Sequence, residues 1–276
     1  MTYSDPEYLT RQYRDASNLN ARIALHERFS TNSYGLPRWI FDNFENNKPY
    51  DTMVQELLDP TMLNHPPRYV LQEQASILEV GCGPGRLWTE NLERLPARWD
   101  ITLSDASPGM VAEAETRLGS ERSFEFQVAD VQELPFEGER FDAVVANHVL
   151  HHVPDTERAL SEIARILRPR GTMYAATNGE RAHSEMGWMQ HMLDPSSPVE
   201  RYFPTPLAFS LENGAEQLSP WFSEITLRRY EDALVVTEHV SLDGVLWEIV
   251  TGPAELAGVR AALEAVGVEL DSAELV

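Results

Sequence analysis

Cysteine is nearly absent: Cys82 stands alone in 276 residues, so no disulfide can close within the chain and a reducing compartment is expected. Long apolar runs are missing too, none reaching the roughly 18 residues that cross a bilayer as a helix. Met1 to Tyr8 carries neither a basic stretch nor an apolar one, so a secretory signal is not expected and a cytoplasmic location is. Positive charge is scarce, with 22 Lys and Arg against 44 Asp and Glu and a formal net charge of −22. Such a surface repels a phosphate backbone unless a local basic patch overrides it. The clusters Arg165, Arg168, Arg170 and then Arg228, Arg229 lie among acidic residues and read as decoration of a solvated face. Nucleic acid and membranes are therefore not expected as partners; a monomer or homodimer is expected. What is present, 42 % hydrophobic and 24 % charged residues, describes a globular chain long enough for one sizeable core with appended elements.

The first 70 residues differ in rhythm from the rest. Tyr3 to Ser30 spaces apolar and aromatic residues among Arg, Asn and Glu, which suggests one or two short helices; Gly35-Leu36-Pro37 breaks the pattern, and Trp39-Ile40-Phe41 with Phe44 begins another helical face. From Ser76 onward short apolar strands alternate with helical stretches. Strands are read at Ile77–Val80, Ile101–Leu103, Phe124–Val128, Phe141–Ala146 and Gly171–Thr177. Helices are read at Leu87–Leu95, Pro108–Leu118 with Pro in its first turn, and Thr156–Leu167, whose Ala159, Leu160, Ile163 and Leu167 fall on one face. This alternation implies crossover units and a mainly parallel sheet. Phe222–Tyr230 and Ala233–Thr237 add two strand candidates around a turn at Glu231-Asp232, Val240–Val250 leans to helix, and Ala254–Val266 reads as a final amphipathic helix. The expected organisation is a helical lid over residues 1–70 and an α/β domain over 71–276, with 179–220 as a cap insertion.

The sharpest local signal is Glu79-Val80-Gly81-Cys82-Gly83-Pro84-Gly85-Arg86. A strand running into such a loop and then a helix sets backbone amides at the carboxyl edge of a parallel sheet, where open α/β folds bind ligands. A plain sharp turn and a nicotinamide dinucleotide loop both remain readings of the glycines alone. The dinucleotide fingerprint, however, needs its third glycine one place later than Gly85. Glu79 would sit poorly beside a pyrophosphate and well beside a cationic amino group, and Asp105 at the end of the second strand suits a ribose diol. A ligand with adenosine and an ammonium but no phosphate satisfies both carboxylates.

With ILEVGCGPGRLW (Ile77 to Trp88), LSDASPGMV (Leu103 to Val111), VADVQELPF (Val128 to Phe136), FDAVVANHVLHHVPD (Phe141 to Asp155) and ALSEIARILRPRGTMYAAT (Ala159 to Thr177) in register, the sequence resembles the class I S-adenosylmethionine-dependent methyltransferases, in particular the branch of ubiquinone/menaquinone-biosynthesis-like small-molecule enzymes. The resemblance implies a doubly wound, Rossmann-like, mostly parallel seven-stranded sheet, with S-adenosylmethionine as cofactor and S-adenosylhomocysteine as product. It places Glu79, Gly81, Cys82 and Gly83 around the methionyl part and Asp105 on the ribose hydroxyls. Ala106, Met110, Asp130 and Val131 fall around the adenine, Asn147 at the amino acid end, and Tyr13 in a lid. Arg86-Leu87-Trp88 departs from the pattern, since many relatives carry small residues there; Trp88 would pack the sheet or narrow the pocket.

Methyl transfer is an in-line displacement of a neutral thioether, so the protein chiefly aligns donor and acceptor and, where needed, removes a proton from the acceptor. No metal is required, and the histidines show no zinc spacing. His148 and His151 are the candidate bases, imidazole being able to accept a proton near neutral pH. His152, Tyr34, Trp39, His183, Trp188 and Phe203 are candidate substrate contacts. The expected activity is methylation of an oxygen or carbon of a small natural-product-like metabolite. N-methylation, a non-methylating reaction such as cyclisation with the cofactor held structurally, and a non-catalytic interaction subunit are the alternatives, because fold does not fix function.

Overall fold

The computed structural model describes residues 10, 13–45, 71, 74–121, 124–180 and 207–235. Five strands, β1 (Gln74–Val80), β2 (Arg98–Asp105), β3 (Phe124–Val128), β4 (Phe141–Asn147) and β5 (Leu167–Ala176), form one sheet in the order β3-β2-β1-β4-β5. Every pairing is parallel. The order reverses between β1 and β4, the point of an open α/β sheet at which such folds hold ligands.

Helices cover both faces. On one face α1 (Ser17–Phe29) and α2 (Leu36–Glu45) precede β1, and the short α3 (Arg86–Thr89) and α4 (Pro108–Leu118) follow β1 and β2. Phe41 and Phe44 of α2 are fully buried with Trp88, Trp99, Ile77, Leu103 and Leu118, so α2 docks into the same core as the sheet. On the other face α5 (Thr156–Ile166) lays Ala159, Leu160, Ile163 and Ile166 on Leu78, Val80, Val144 and Ala146. α5 forms because its apolar positions share a face and Asp155 caps it, the carboxylate accepting from the Arg158 amide at 3.0 Å. Helix α4 starts at a similar signal, with Ser107 as cap and Pro108 behind it. The short α6 (Gly214–Leu218) closes the described fold, and Phe209 and Leu218 join the core under α5. Among the described residues no helix is long and apolar enough to cross a membrane.

The expected seven-stranded sheet is corrected: among the described residues the sheet has five strands. Residues 222–230 run without ladder partners and leave Ile225 and Leu227 exposed; of the second candidate, Leu234 makes one antiparallel bridge to Ser30 ahead of α2. Alternating apolar residues record a half-buried surface, but a strand also needs a neighbouring edge to bond, and periodicity says nothing about that edge. The helix expected over Leu87–Leu95 is shorter as well. It ends at Thr89, where the Asn91 side chain donates to the Leu87 and Pro37 carbonyls, and a 3-10 turn follows at Leu92–Arg94. Residues 181–206, most of the expected cap, and the helices expected at Val240–Val250 and Ala254–Val266 lie outside the described residues.

Candidate active site

The turn after β1 is shaped by its glycines. Gly81 has φ +65°, and a Cβ there would lie 2.5 Å from Cγ2 of Val149, so the loop after β4 rests directly on the bare backbone. The Cys82 amide donates to the Ser104 carbonyl at 2.9 Å, tying the turn to β2. Cys82 is buried, which pushes its thiol well above the ordinary range and makes it an inert wall. Asp105 bridges two loops: one oxygen accepts from the Gly83 amide at 3.0 Å and the other from the Ser107 amide at 2.8 Å. Burial raises its pKa, while these two amides hold it down.

Glu79, 3 % exposed, sits at the end of β1 on the side of the α2–α4 core. The Trp88 indole N–H donates to Oε2 at 2.6 Å, and Nδ2 of Asn147, at the end of β4, donates to Oε1 at 3.0 Å. Burial pushes the Glu79 carboxyl up to about 8, with the neighbouring Asp105 adding to the rise and the two donors opposing it. The other end of the Asn147 amide, Oδ1, is buried without a donor.

Three histidines follow Asn147. His148 adopts φ +52° while its amide donates to the Ala176 carbonyl at 2.9 Å, and this left-handed residue turns the chain into a 3-10 turn over Leu150–His152. The ring centroids of His151 and His152 are 4.1 Å apart, those of His148 and His151 6.3 Å. Burial drives His151 down to about 3, with His152 and Arg22 acting in the same direction, so the ring is neutral near pH 7. Its Nδ1 is buried with no partner.

Tyr13 crosses from the β2 loop to this cluster. Its carbonyl accepts from Ser107 Oγ at 2.7 Å, its hydroxyl is hydrogen-bonded to Nε2 of His152 at 2.9 Å, and the Arg22 guanidinium lies 5.7 Å from its ring centroid. The neighbouring carbonyl of Arg14 presses on Gly109, where a Cβ would come within 2.0 Å of it. A single stretch of backbone is thus seated on the first turn of α4.

Glu79, Gly81, Gly83, Asp105, Asn147, Tyr13, His148, His151 and His152 therefore share one edge of the sheet. Ala106 is exposed beside Asp105, whereas Met110 is buried to 1 % exposure in the first turn of α4. The Asp130 carboxylate accepts from the backbone and side-chain amides of Gln132, and Val131 is buried in the α5-side core. Tyr34 and Trp39 are engaged around α2, the first donating to Asp42 at 2.7 Å and the second packing on Tyr230. His183, Trp188 and Phe203 lie outside the described residues. Sequence reasoning missed Ser107 as an anchor for Tyr13 and Trp88 as a donor to Glu79. Ser107 was marked by its place before Pro108; for Trp88 only its bulk was legible.

Residues 78–175 match a family described as "Methyltransferase domain". The chain is 37 % identical over 103 residues to an uncharacterised methyltransferase of Mycobacterium tuberculosis, a match covering 37 % of this chain and 49 % of that protein. It is 34 % identical over 122 residues to a ubiquinone biosynthesis O-methyltransferase of Xanthomonas campestris, covering 44 % and 50 %. The chain thus spans about half the length of the curated relatives it matches. Among solved structures it is similar to the YcgJ protein of Bacillus subtilis, with 17 % identity, a TM-score of 0.48 and coverage of 74 % of this chain and 87 % of that one. The stretch that matches the methyltransferase-domain family runs from within β1 to within β5 and takes in the glycine turn, Asp105, Asn147 and the three histidines.

Proposed function

We propose that this protein transfers the methyl group of S-adenosylmethionine to a small-molecule acceptor. The observation that carries the reading is the pair of carboxylates, Asp105 and Glu79, at the ends of neighbouring parallel strands on either side of a glycine turn, at the point where the strand order reverses. The residues present fit that cofactor. Gly81 and Gly83 let the turn take its left-handed backbone beside the site, Asp105 is fixed by two amides for a ribose diol, and the buried, donorless Oδ1 of Asn147 suits an ammonium group. The adenine is assigned to the side of Ala106 and Asp130, which are exposed, with the buried Met110 and Val131 behind them.

When bound, the cofactor supplies an electrophilic methyl on a good leaving group. The chain's own share is alignment and proton handling. Tyr13, tied to both Ser107 and His152, closes the edge and excludes water. His148 and His151 are the candidate bases for an acceptor that must lose a proton; His151 is neutral near pH 7, but burial, holding it at about 3, makes it a weak proton acceptor. The O-methyltransferase named among the relatives makes a hydroxyl the first acceptor to try. The acidic surface, at −22, favours a small molecule over nucleic acid.

Calorimetry with S-adenosylhomocysteine tests this. A dissociation constant of order micromolar, weakened about ten- to hundredfold in Asp105→Ala, is the expected result, since a buried charged hydrogen-bonding partner carries about 1.5–3 kcal/mol. No heat and no thermal stabilisation by either the product or S-adenosylmethionine would dismiss the reading.

A further inference from the structure

Resting on that cofactor reading, we propose that Asn147 is a positioning residue that exchanges a proton on Glu79 for the ammonium group of the cofactor. Glu79 is buried and faces no cation among the described residues. From β2 it faces the like charge of Asp105, from the glycine turn the buried thiol of Cys82, from α3 the Trp88 indole and from β4 the Asn147 amide. A carboxylate so enclosed keeps its proton unless a positive charge arrives, and its position up to about 8 accords with that.

The Asn147 amide can serve both states. With Glu79 ionised, Nδ2 donates to Oε1, as observed, and Oδ1 is left buried and in need of a donor. With Glu79 protonated, a half-turn of the amide turns Oδ1 toward the carboxyl O–H to accept it, and the NH2 takes the place of the bare oxygen. An ammonium delivered to the far side of the amide favours the first arrangement, because it donates to Oδ1 and its charge relieves both carboxylates. Loading then expels the Glu79 proton to the buffer, one proton leaving as one ammonium enters. Trp88 keeps Oε2 engaged throughout, so the exchange is confined to the oxygen that Asn147 reads.

Titration calorimetry of the full chain at about pH 6.5, in buffers of different ionisation enthalpy, counts the protons directly. S-adenosylhomocysteine should release about one proton per molecule bound, and 5′-methylthioadenosine, which lacks the ammonium, close to none. An infrared difference spectrum should lose a carboxylic acid C=O band on binding the first and keep it on binding the second. Asn147→Ala should weaken S-adenosylhomocysteine about tenfold or more while changing 5′-methylthioadenosine less than about threefold. Glu79→Gln should abolish the proton release; if that variant does not fold, the wild-type counts and the infrared band decide. S-adenosylhomocysteine binding without proton release, or equal losses of both ligands in Asn147→Ala, would overturn the proposal and leave the cofactor site standing. Failure of both ligands to bind would overturn the cofactor reading along with it.

Discussion

Glu79 and His151 are titratable groups held in their neutral forms by the same cause, burial, and they affect stability in opposite directions. The folded pKa of Glu79, about 8, lies above its ordinary 4.5, so the native state binds the extra proton. Its contribution to stability is complete below about 4.5 and is lost as pH rises to about 8. His151 is the reverse: driven from 6.5 down to about 3, it contributes stability that is complete above 6.5 and lost as pH falls to about 3. The urea midpoint of the ligand-free protein, followed against pH, should therefore decline on both sides of an optimum near mildly acidic pH. Glu79→Gln should flatten the alkaline limb alone, and His151→Gln the acid limb alone; a limb that keeps its slope in its own variant means another group sets it. At this scale the sequence was partly legible. The acid at the end of β1 and the three histidines after Asn147 stood out, but the indole that meets Glu79 is nine residues away on another element, and no local pattern announces it.

At the scale of elements, the register of β5 holds an irregularity with a cost. Phe141 pairs with Leu167 and Ala143 with Thr172, so β5 carries extra residues between those rungs, and Arg170 among them adopts φ +71°. A left-handed residue with a side chain costs about 1–2 kcal/mol, and the added chain entropy of a glycine returns part of that. Arg170→Gly should consequently raise stability by about 0.5–1 kcal/mol in denaturant unfolding, with no change in cofactor affinity; a loss of stability would mean that the arginine side chain makes up for its backbone. The five strands, α4 and α5 were readable because each joins a periodic apolar face to a clear stop or cap, Ser107-Pro108 and Asp155 among them. Residues 222–230 have the alternation without the ladder. Ile225 and Leu227 satisfy a strand pattern, yet which edge would receive them is a property of the folded sheet, and there the reading exceeded what sequence holds.

Over the whole molecule the imbalance of charge sets the terms. A net charge of −22 on a 31.2 kDa chain makes the folded state repel itself, and dissolved salt screens that repulsion. Raising sodium chloride from about 10 to about 300 mM should increase the melting temperature by a few degrees, and choline chloride should do so equally, because screening does not depend on the cation. A flat response would show that the acidic residues left over after pairs such as Arg117 with Glu113 and Arg86 with Glu90 lie too far apart to repel one another strongly. Composition made this charge plain from the start. How the N-terminal helices meet the sheet was not plain, because Phe41 and Phe44 could have packed a separate lobe as readily as the core beside Trp88.

The seating of Arg14 on Gly109 carries a kinetic meaning. That backbone spans from Ser107 to the ring of His152 by way of Tyr13, so under the proposed function it has to lift away before a bound cofactor can leave. Under that reading position 109 sets the dwell time: the missing side chain lets the stretch lie flush, and the methyl of Gly109→Ala, wedged against the Arg14 carbonyl, should speed the release of bound S-adenosylhomocysteine in stopped-flow exchange.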